Sequence, residues 1–376
     1  MKRINKHKVL SPGLFFFLLF TPSLVFAFMF FPLTGAQLIG ADGYLAIPVA
    51  FALTVPITLV AQYFTAQYPG LTMIEYAPFI LGKTLGFLYN LLYLSGLLLI
   101  TIVFFREVTG MAYGFLIDRA PFLFVTLLMV GAVLYISYYG ITSVARLASF
   151  LFPASLFLGV TILLAFQNWQ LLNILPIGGE PVGTYLNGGV QSLYIFYPFT
   201  LIFQATAFAD RREKVFPLSL LAHGLISLLY FLNSIGITGV FTAEGITRYL
   251  WPNMEYSRTI DLPFFLFEEV GLVFNIAWGV LSYSTITIFF FFLAHGLAQL
   301  GLKSGDFHGP VSYQKILIFL GVIIFGALQL IPDLNILRAH FRSVQIIGGL
   351  LLFGLPVLLF LCSLLRVYFW RRTQNG

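Results

Sequence analysis

The residues that could do chemistry in this chain are few, and they lie inside long apolar stretches. Arg106 and Glu107 are adjacent within one such stretch. A charge placed in an apolar membrane span costs roughly 3 kcal/mol on insertion scales and usually faces the bundle interior. On a helix the two side chains diverge by about 100°, so each is expected to pair with a third residue rather than with its neighbour. Such a pair can gate a ligand path or tether helices. A second group comprises Asn275, Trp278, Ser282, Tyr283, Ser284, Thr285 and Thr287, followed by the aromatic run Phe289–Phe292. Asn275, Trp278 and Ser282 share one helix face, and Ser284 and Thr287 share another. These hydroxyls could meet a polar ligand. They could equally bond back to carbonyls of their own helix, or join helices.

Two further groups surround prolines. The stretch Pro12–Ala36 contains Pro22 and Pro32, with Thr21, Ser23, Val25, Phe26 and Met29 nearby. The stretch Thr184–Ala209 contains Pro198, flanked by Tyr194, Tyr197, Phe199 and Thr200. A broken helix exposes N–H groups where one half starts and carbonyls where the other ends. Those groups suit a carboxylate and an ammonium or cation, so a zwitterion would fit. The alternative is a plain proline kink satisfied by neighbouring helices. Unwound backbone at membrane depth survives only when buried in protein or lining a cavity. Proline-interrupted segments at matching positions of two halves point to a transporter-type binding site. Pro22, Pro32 and Pro198 are therefore read as shaping a site.

Enzymatic signatures are absent: there is no phosphate-binding loop, nucleophile elbow, His-Glu-x-x-His or paired-Cys motif. Neither a catalytic residue nor a cofactor is expected. His7, His223, His295, His308 and His340 are scattered, and each is read as a helix-end or loop residue rather than a metal ligand. Cys362 is the single cysteine, which excludes an intrachain disulfide and a Cys-based metal site.

The elements that must position these residues follow from composition. The 376 residues are 59% hydrophobic, 18% aromatic and 9% charged, a balance that belongs to polytopic membrane proteins. With about 20 apolar residues needed per crossing, about ten segments emerge. They run roughly over 13–36, 44–64, 86–110, 122–140, 146–167, 184–208, 216–240, 271–299, 314–331 and 344–368. Continuous runs such as Ile286–Leu293 argue against a β-barrel. The expected fold is thus all-α, a single transmembrane domain over 1–376 arranged as a five-plus-five inverted repeat. Repeat one covers about 10–168 and repeat two about 184–370, with segments one and six broken. The basic Met1–Lys8 before an apolar run resembles a signal peptide. The run is too long and lacks a clear cleavage site, so it is read as the first helix.

Net charge is +6, but its distribution orients the protein rather than suggesting nucleic acid. With the N-terminus cytoplasmic, Lys2, Arg3, Lys6, Lys8, Lys83, Arg146, Arg211, Arg212, Lys214, Lys303, Lys315, Arg366, Arg371 and Arg372 fall inside. Only Arg106, Arg119, Arg248, Arg258, Arg338 and Arg342 fall towards the outside, so the Lys/Arg bias places both termini in the cytoplasm. Between segments two and three, Tyr68-Pro69-Gly70 reads as a turn and Thr72-x-x-Glu75 as a capping box. A short amphipathic surface helix ended by Gly82 is expected there. The charged loop Thr242–Glu269 is expected to form surface helices over the vestibule.

Several stretches resemble the permease-like B subunit of endospore germinant receptors, a family related to amino-acid/polyamine/organocation transporters. The most specific is Tyr68-Pro69-Gly70-Leu71-Thr72-x-Ile74-Glu75-Tyr76 with Leu81-Gly82-Lys83-x-x-Gly86. Arg106-Glu107, Val144–Ala148 with Phe152-Pro153, Asn173–Pro176 and Pro252 through Arg258 add to it. Val25 stands near where the family carries glycine in the first break, and Gly271 follows Glu268-Glu269 where the family pattern has an arginine. The resemblance implies a ten-helix transporter-like fold in the inner membrane of a bacterial spore. It also implies partnership with an A subunit and a lipoprotein C subunit, and a nutrient germinant bound at mid-membrane. By carry-over the pocket involves Val25, Leu97, Thr101, Phe199 and Thr287. With the break and segment-eight residues Ser23, Phe26, Tyr197, Thr200 and Ser284, these form the candidate ligand set. Arg106, Glu107 and Arg258 join the prolines as structural or gating residues.

The expected function is therefore germinant sensing that triggers germination, with a small neutral amino acid favoured by the apolar lining. Secondary amino-acid transport is the competing reading, and a purely structural anchor for the A subunit is a third. No unpaired acid is expected at mid-membrane, which disfavours a proton-coupled carrier.

Overall fold

In the computed structural model, residues 10–115, 120–260, 270–301, 310–331 and 333–374 are described. Lys2, Arg3, Lys6, His7, Lys8, Arg119, Asp261, Glu268, Glu269, Lys303 and His308 lie outside them. Among the described residues the backbone is helix and turn apart from one parallel bridge between Leu10 and Ala209. Leu10 N–H donates to the Phe208 carbonyl at 2.7 Å, and Asp210 N–H donates to the Leu10 carbonyl at 3.0 Å.

Segment one is two helices, α1 (Pro12–Val25) and α2 (Phe31–Ile39). Pro12 stands at the start of α1 and Pro32 at the start of α2, where a missing N–H costs nothing. Pro22 lies inside α1. The chain leaves helical form afterwards, over Phe26–Phe30, so the break falls between the two inner prolines. Segment two is α3 (Ala46–Gln67), followed by the short α4 (Met73–Leu81). The capping box is present: Thr72 N–H donates to Glu75 Oε2 at 2.8 Å. Gly82 ends α4 at φ 85°, a conformation that favours glycine. Burial holds the Glu75 carboxyl above the ordinary carboxylate range, against the pull of its hydrogen bonds from Thr72.

The third to fifth segments are α5 (Lys83–Phe115), α6 (Phe122–Tyr138), and α7 (Ile141–Phe150) with α8 (Phe152–Ala165). Segment six is broken as expected. It runs through α9 (Val182–Gln191), a 3₁₀ stretch Leu193–Leu201 containing Pro198, and α10 (Ile202–Ala205). Then come α11 (Val215–Ile246), the loop helix α12 (Pro252–Arg258), α13 (Val270–Gly301) and α14 (Pro310–Leu330). The last segment holds α15 (Leu334–Ala339), α16 (Phe341–Gly349), a π turn over Leu350–Gly354, and α17 (Leu355–Gln374).

Among the described residues, seven helical runs are long and apolar enough to cross a membrane; α1 and α6 are apolar but shorter. α1 packs against α7, α11 and α13, which places the first break near the centre of the bundle. α13 is the most buried long helix, whereas α14 and α16–α17 are mostly uncovered. Exposed apolar side chains include Leu123, Phe124, Leu127 and Leu128 on α6 and Ile318, Phe319 and Val322 on α14. Apolar side chains on the outside and hydroxyls inside suit lipid as the surrounding solvent.

Candidate ligand-binding site

The two broken segments meet α5 and α16 around a small apolar cavity. Its walls are Phe26 and Phe30 from break one, Ile100, Val103, Phe104 and Glu107 from α5, Tyr194 and Tyr197 from segment six, and Phe341, Val344 and Gln345 from α16. Ile100, Val103, Phe104 and Glu107 are spaced three, four and seven apart, so a single face of α5 supplies them. Phe26 packs on Phe104 at 5.0 Å, Phe289 at 5.8 Å and Tyr197 at 6.4 Å between ring centroids. Those rings leave about 20 Å³ open to water. That is room for about one water molecule. Any larger ligand requires the aromatic side chains to move.

The backbone groups of break one are engaged by distant side chains. Ala27 N–H donates to the Tyr230 hydroxyl at 2.9 Å, and that hydroxyl donates to the Ser23 carbonyl at 3.2 Å. Asn253, on α12, donates its side-chain amide to the Phe28 carbonyl. Local turns take up more of the break, with Phe28 N–H on the Val25 carbonyl and Phe31 N–H on the Ala27 carbonyl. Break one is therefore a proline-flanked interruption in which the Ala27 N–H and the Ser23 and Phe28 carbonyls are taken up by neighbouring helices, and the Val25 and Ala27 carbonyls by local turns.

Of the ten sequence-predicted ligand residues, Phe26 and Tyr197 line the cavity. Tyr197 reaches across it to donate to the Gln345 carbonyl. Gly348 sits against that ring, and an added Cβ there would stand 2.7 Å from Tyr197 Cε2. Thr101, Thr200 and Thr287 are buried, and each hydroxyl donates to a carbonyl of its own segment, on Leu97, Tyr197 and Tyr283. Val25 and Leu97 are buried in the core. The hydroxyls of Ser23 and Ser284 are buried without a hydrogen-bond partner. Phe199 lies elsewhere, packed on His223 at 4.4 Å.

His223 and His295 correct the expectation of helix-end or loop positions. Both lie inside helices, α11 and α13, and His223 is fully buried. Its Nε2 is 2.9 Å from Thr54 Oγ1, with Phe51, Phe196 and Phe199 around the ring. An imidazole with a hydroxyl partner and aromatic rings around it packs as an aromatic does, which explains its place in the core. His340, between α15 and α16, is at a helix end. Among the described residues no three metal-ligating side chains come together.

The charge pair divides as its helical spacing requires. Arg106 donates from Nε to the Ile331 carbonyl at 2.7 Å and lays its guanidinium over Phe122 at 4.7 Å. Glu107 takes Arg338 as its ion-pair partner at 3.5 Å, and Arg338 sits 5.1 Å over the Trp251 ring. Arg258 pairs with Glu255 on the exposed side of α12 at 3.2 Å. Sequence reasoning missed Tyr230, Asn253 and the α16 wall. The i, i+3, i+4, i+7 pattern Ile100-Val103-Phe104-Glu107 was the available signal for the α5 wall.

A family model described as spore germination protein matches residues 9–334. The chain belongs to that family. Its relatives include spore germination protein YndE of Bacillus subtilis (strain 168), 24% identical over 332 residues, which is 86% of this chain and 87% of the relative. Spore germination proteins A2 and B2 of the same organism are 25% identical over 238 residues and 24% identical over 259. Those matches cover 62% and 66% of this chain, and 64% and 67% of the relatives. The fold is shared with transporters. MhsT, solved in complex with L-phenylalanine, superposes with a TM-score of 0.68 at 16% identity, covering 95% of this chain and 89% of MhsT. A Na+-coupled sialic acid symporter gives 0.65 at 11% identity, covering 94% and 82%. This spore germination permease is thus a multi-pass membrane protein on a transporter scaffold.

Proposed function

We propose that this chain is the nutrient-sensing membrane subunit of a spore germinant receptor, and that a small neutral amino acid acts as germinant in the cavity between the two broken segments. The observation that carries the reading is the convergence of both breaks, α5 and α16 on one aromatic cavity whose wall includes a single acidic residue, Glu107. Family membership and relatives named germination proteins A2 and B2 support the receptor role. MhsT, with the same fold, is solved with an amino acid.

The arrangement suits a two-state sensor. With about 20 Å³ open, the cavity as described is too small for an amino acid, and a ligand that fits only an opened form shifts the population towards it. The unit is a five-plus-five inverted repeat of ten spans, repeat one over about 10–168 and repeat two over about 184–370. Both termini face the cytoplasm of the spore across its inner membrane, and the Glu107 end of the cavity faces outward. An A subunit and a lipoprotein C subunit are its partners, and no enzymatic activity is assigned. The pocket draws on Ser23, Val25, Leu97, Thr101, Thr200, Ser284 and Thr287 as the support beneath the cavity walls.

Thermal shift of the purified chain against neutral amino acids, sugars and nucleosides tests the reading, since a binder stabilises the folded state by mass action. Stabilisation by an amino acid is expected, and by sugars or nucleosides alone would overturn it. Secondary amino-acid transport is the second reading, favoured by the scaffold. Concentrative uptake of a labelled amino acid into proteoliposomes would establish transport in place of sensing.

A further inference from the structure

We propose that Glu107 is the residue that recognises the ligand's ammonium group, and that Arg338 occupies it until the ligand arrives. The inference rests on the amino-acid reading above and deepens it. In broken-helix sites, unwound carbonyls are the first acceptors a cation finds. Here the Ser23 carbonyl accepts from Tyr230, the Phe28 carbonyl from Asn253, and the Val25 and Ala27 carbonyls from local turns. Those four carbonyls already accept at least one hydrogen bond each within the protein, and none of them carries the full charge of a carboxylate. Glu107 stands in the cavity wall instead, among Phe30, Val103, Phe104, Tyr194 and Phe341, with its residue only 6% exposed and its carboxylate turned to Arg338.

The present partner is well suited to be displaced. Charge-assisted hydrogen bonds close to about 2.7–2.9 Å when optimal, whereas Arg338 Nη2 stands 3.5 Å from Glu107 Oε2. The Arg338 side chain is the more exposed of the two, at 23% against 8%. Its guanidinium already lies over the Trp251 ring, so it keeps a cation–π contact after leaving the carboxylate. A ligand ammonium entering from above can therefore take Glu107 without leaving a buried charge unpaired, which a neutral ligand cannot do.

The exchange is also coupled to the cavity wall. Arg338 stands on α15, and Phe341, Val344 and Gln345 follow on α16 with only His340 between the two helices. Displacing Arg338 frees a side chain that ties the start of the α15–α16 element to α5. Ligand selection and cavity opening then share one residue. The class of ligand follows: a primary amine with an apolar body, and not its des-amino counterpart.

The test is thermal shift of the full chain with L-alanine, L-leucine and L-phenylalanine beside propionate, 4-methylpentanoate and 3-phenylpropanoate. An amino acid should stabilise the wild type where its des-amino partner does not. Glu107→Gln should weaken that amino acid by about tenfold or more, and Glu107→Asp, which keeps the charge but shortens the reach, should weaken it less. Arg338→Gln removes the competitor and should tighten amino-acid binding several-fold. If Glu107→Gln does not fold, the Arg338→Gln affinity decides, and an unchanged value overturns the assignment. Full amino-acid affinity in Glu107→Gln, or equal binding of the des-amino acids, also overturns it while leaving the amino-acid reading in place. Failure of every amino acid to shift the wild type removes both.

Discussion

The two broken segments meet the same demand, unwound backbone inside a membrane bundle, by opposite means. Break one depends on other elements: Tyr230 from α11 serves Ala27 and Ser23, and Asn253 from α12 serves Phe28. Break six is largely self-contained. It winds tighter, into 3₁₀ form across Pro198, and Thr200 bonds to the Tyr197 carbonyl three residues back. The difference teaches that unwinding alone does not make a ligand site. Break one is wired to distant parts of the fold and can report on their position, whereas break six mainly presents Tyr194 and Tyr197 to the cavity.

The largest expected effect comes from cutting the wiring at its centre. Tyr230→Phe leaves the Ala27 N–H and the Ser23 carbonyl buried without their partner, and each such group costs about 1–3 kcal/mol. A clear drop in the thermal midpoint of the detergent-solubilised chain is expected; an unchanged midpoint would erase the contrast between the breaks. Asn253→Leu removes one acceptor's partner from outside the bundle, so a loss of about 1–2 kcal/mol is expected. Amide exchange over Phe26–Phe30 should quicken while Leu193–Leu201 stays protected. If both stretches quicken together, the breaks are one cooperative unit. Thr200→Val should do least, below about 1 kcal/mol, because it removes only a back-bond within its own segment. A loss as large as that of Tyr230→Phe would show that break six also leans on side chains.

Local features were legible in the sequence. Thr72 and Glu75 announced the capping box of α4, Gly82 its end, and the charge pair Arg106-Glu107 its outward-diverging partners. The existence of both breaks was legible from Pro22, Pro32 and Pro198. Their chemistry was not. Pro22 sits within α1 because a proline removes one helical bond without ending the helix, so the unwinding came later than the residue suggests. Ala27 and Tyr230 are 203 positions apart, and Phe28 and Asn253 are 225 apart. No local pattern marks such partners; only the packing of α11 and α12 on segment one brings them together. The candidate threonines were legible as buried hydroxyls, but whether a hydroxyl serves a ligand or its own helix depends on rotamers that spacing does not encode. Phe199 shows the same limit, since its place beside Pro198 does not reveal that its ring packs on His223 of α11.

The bridge between Leu10 and Ala209 has a consequence for genetics. Its bonds belong to the main chain, on Leu10, Phe208 and Asp210, so an alanine scan through these positions leaves every donor and acceptor in place. The join between the beginning of segment one and the end of segment six is invisible to that kind of screen. Proline at position 10, which alone among the standard residues lacks the N–H, is the substitution that would expose it.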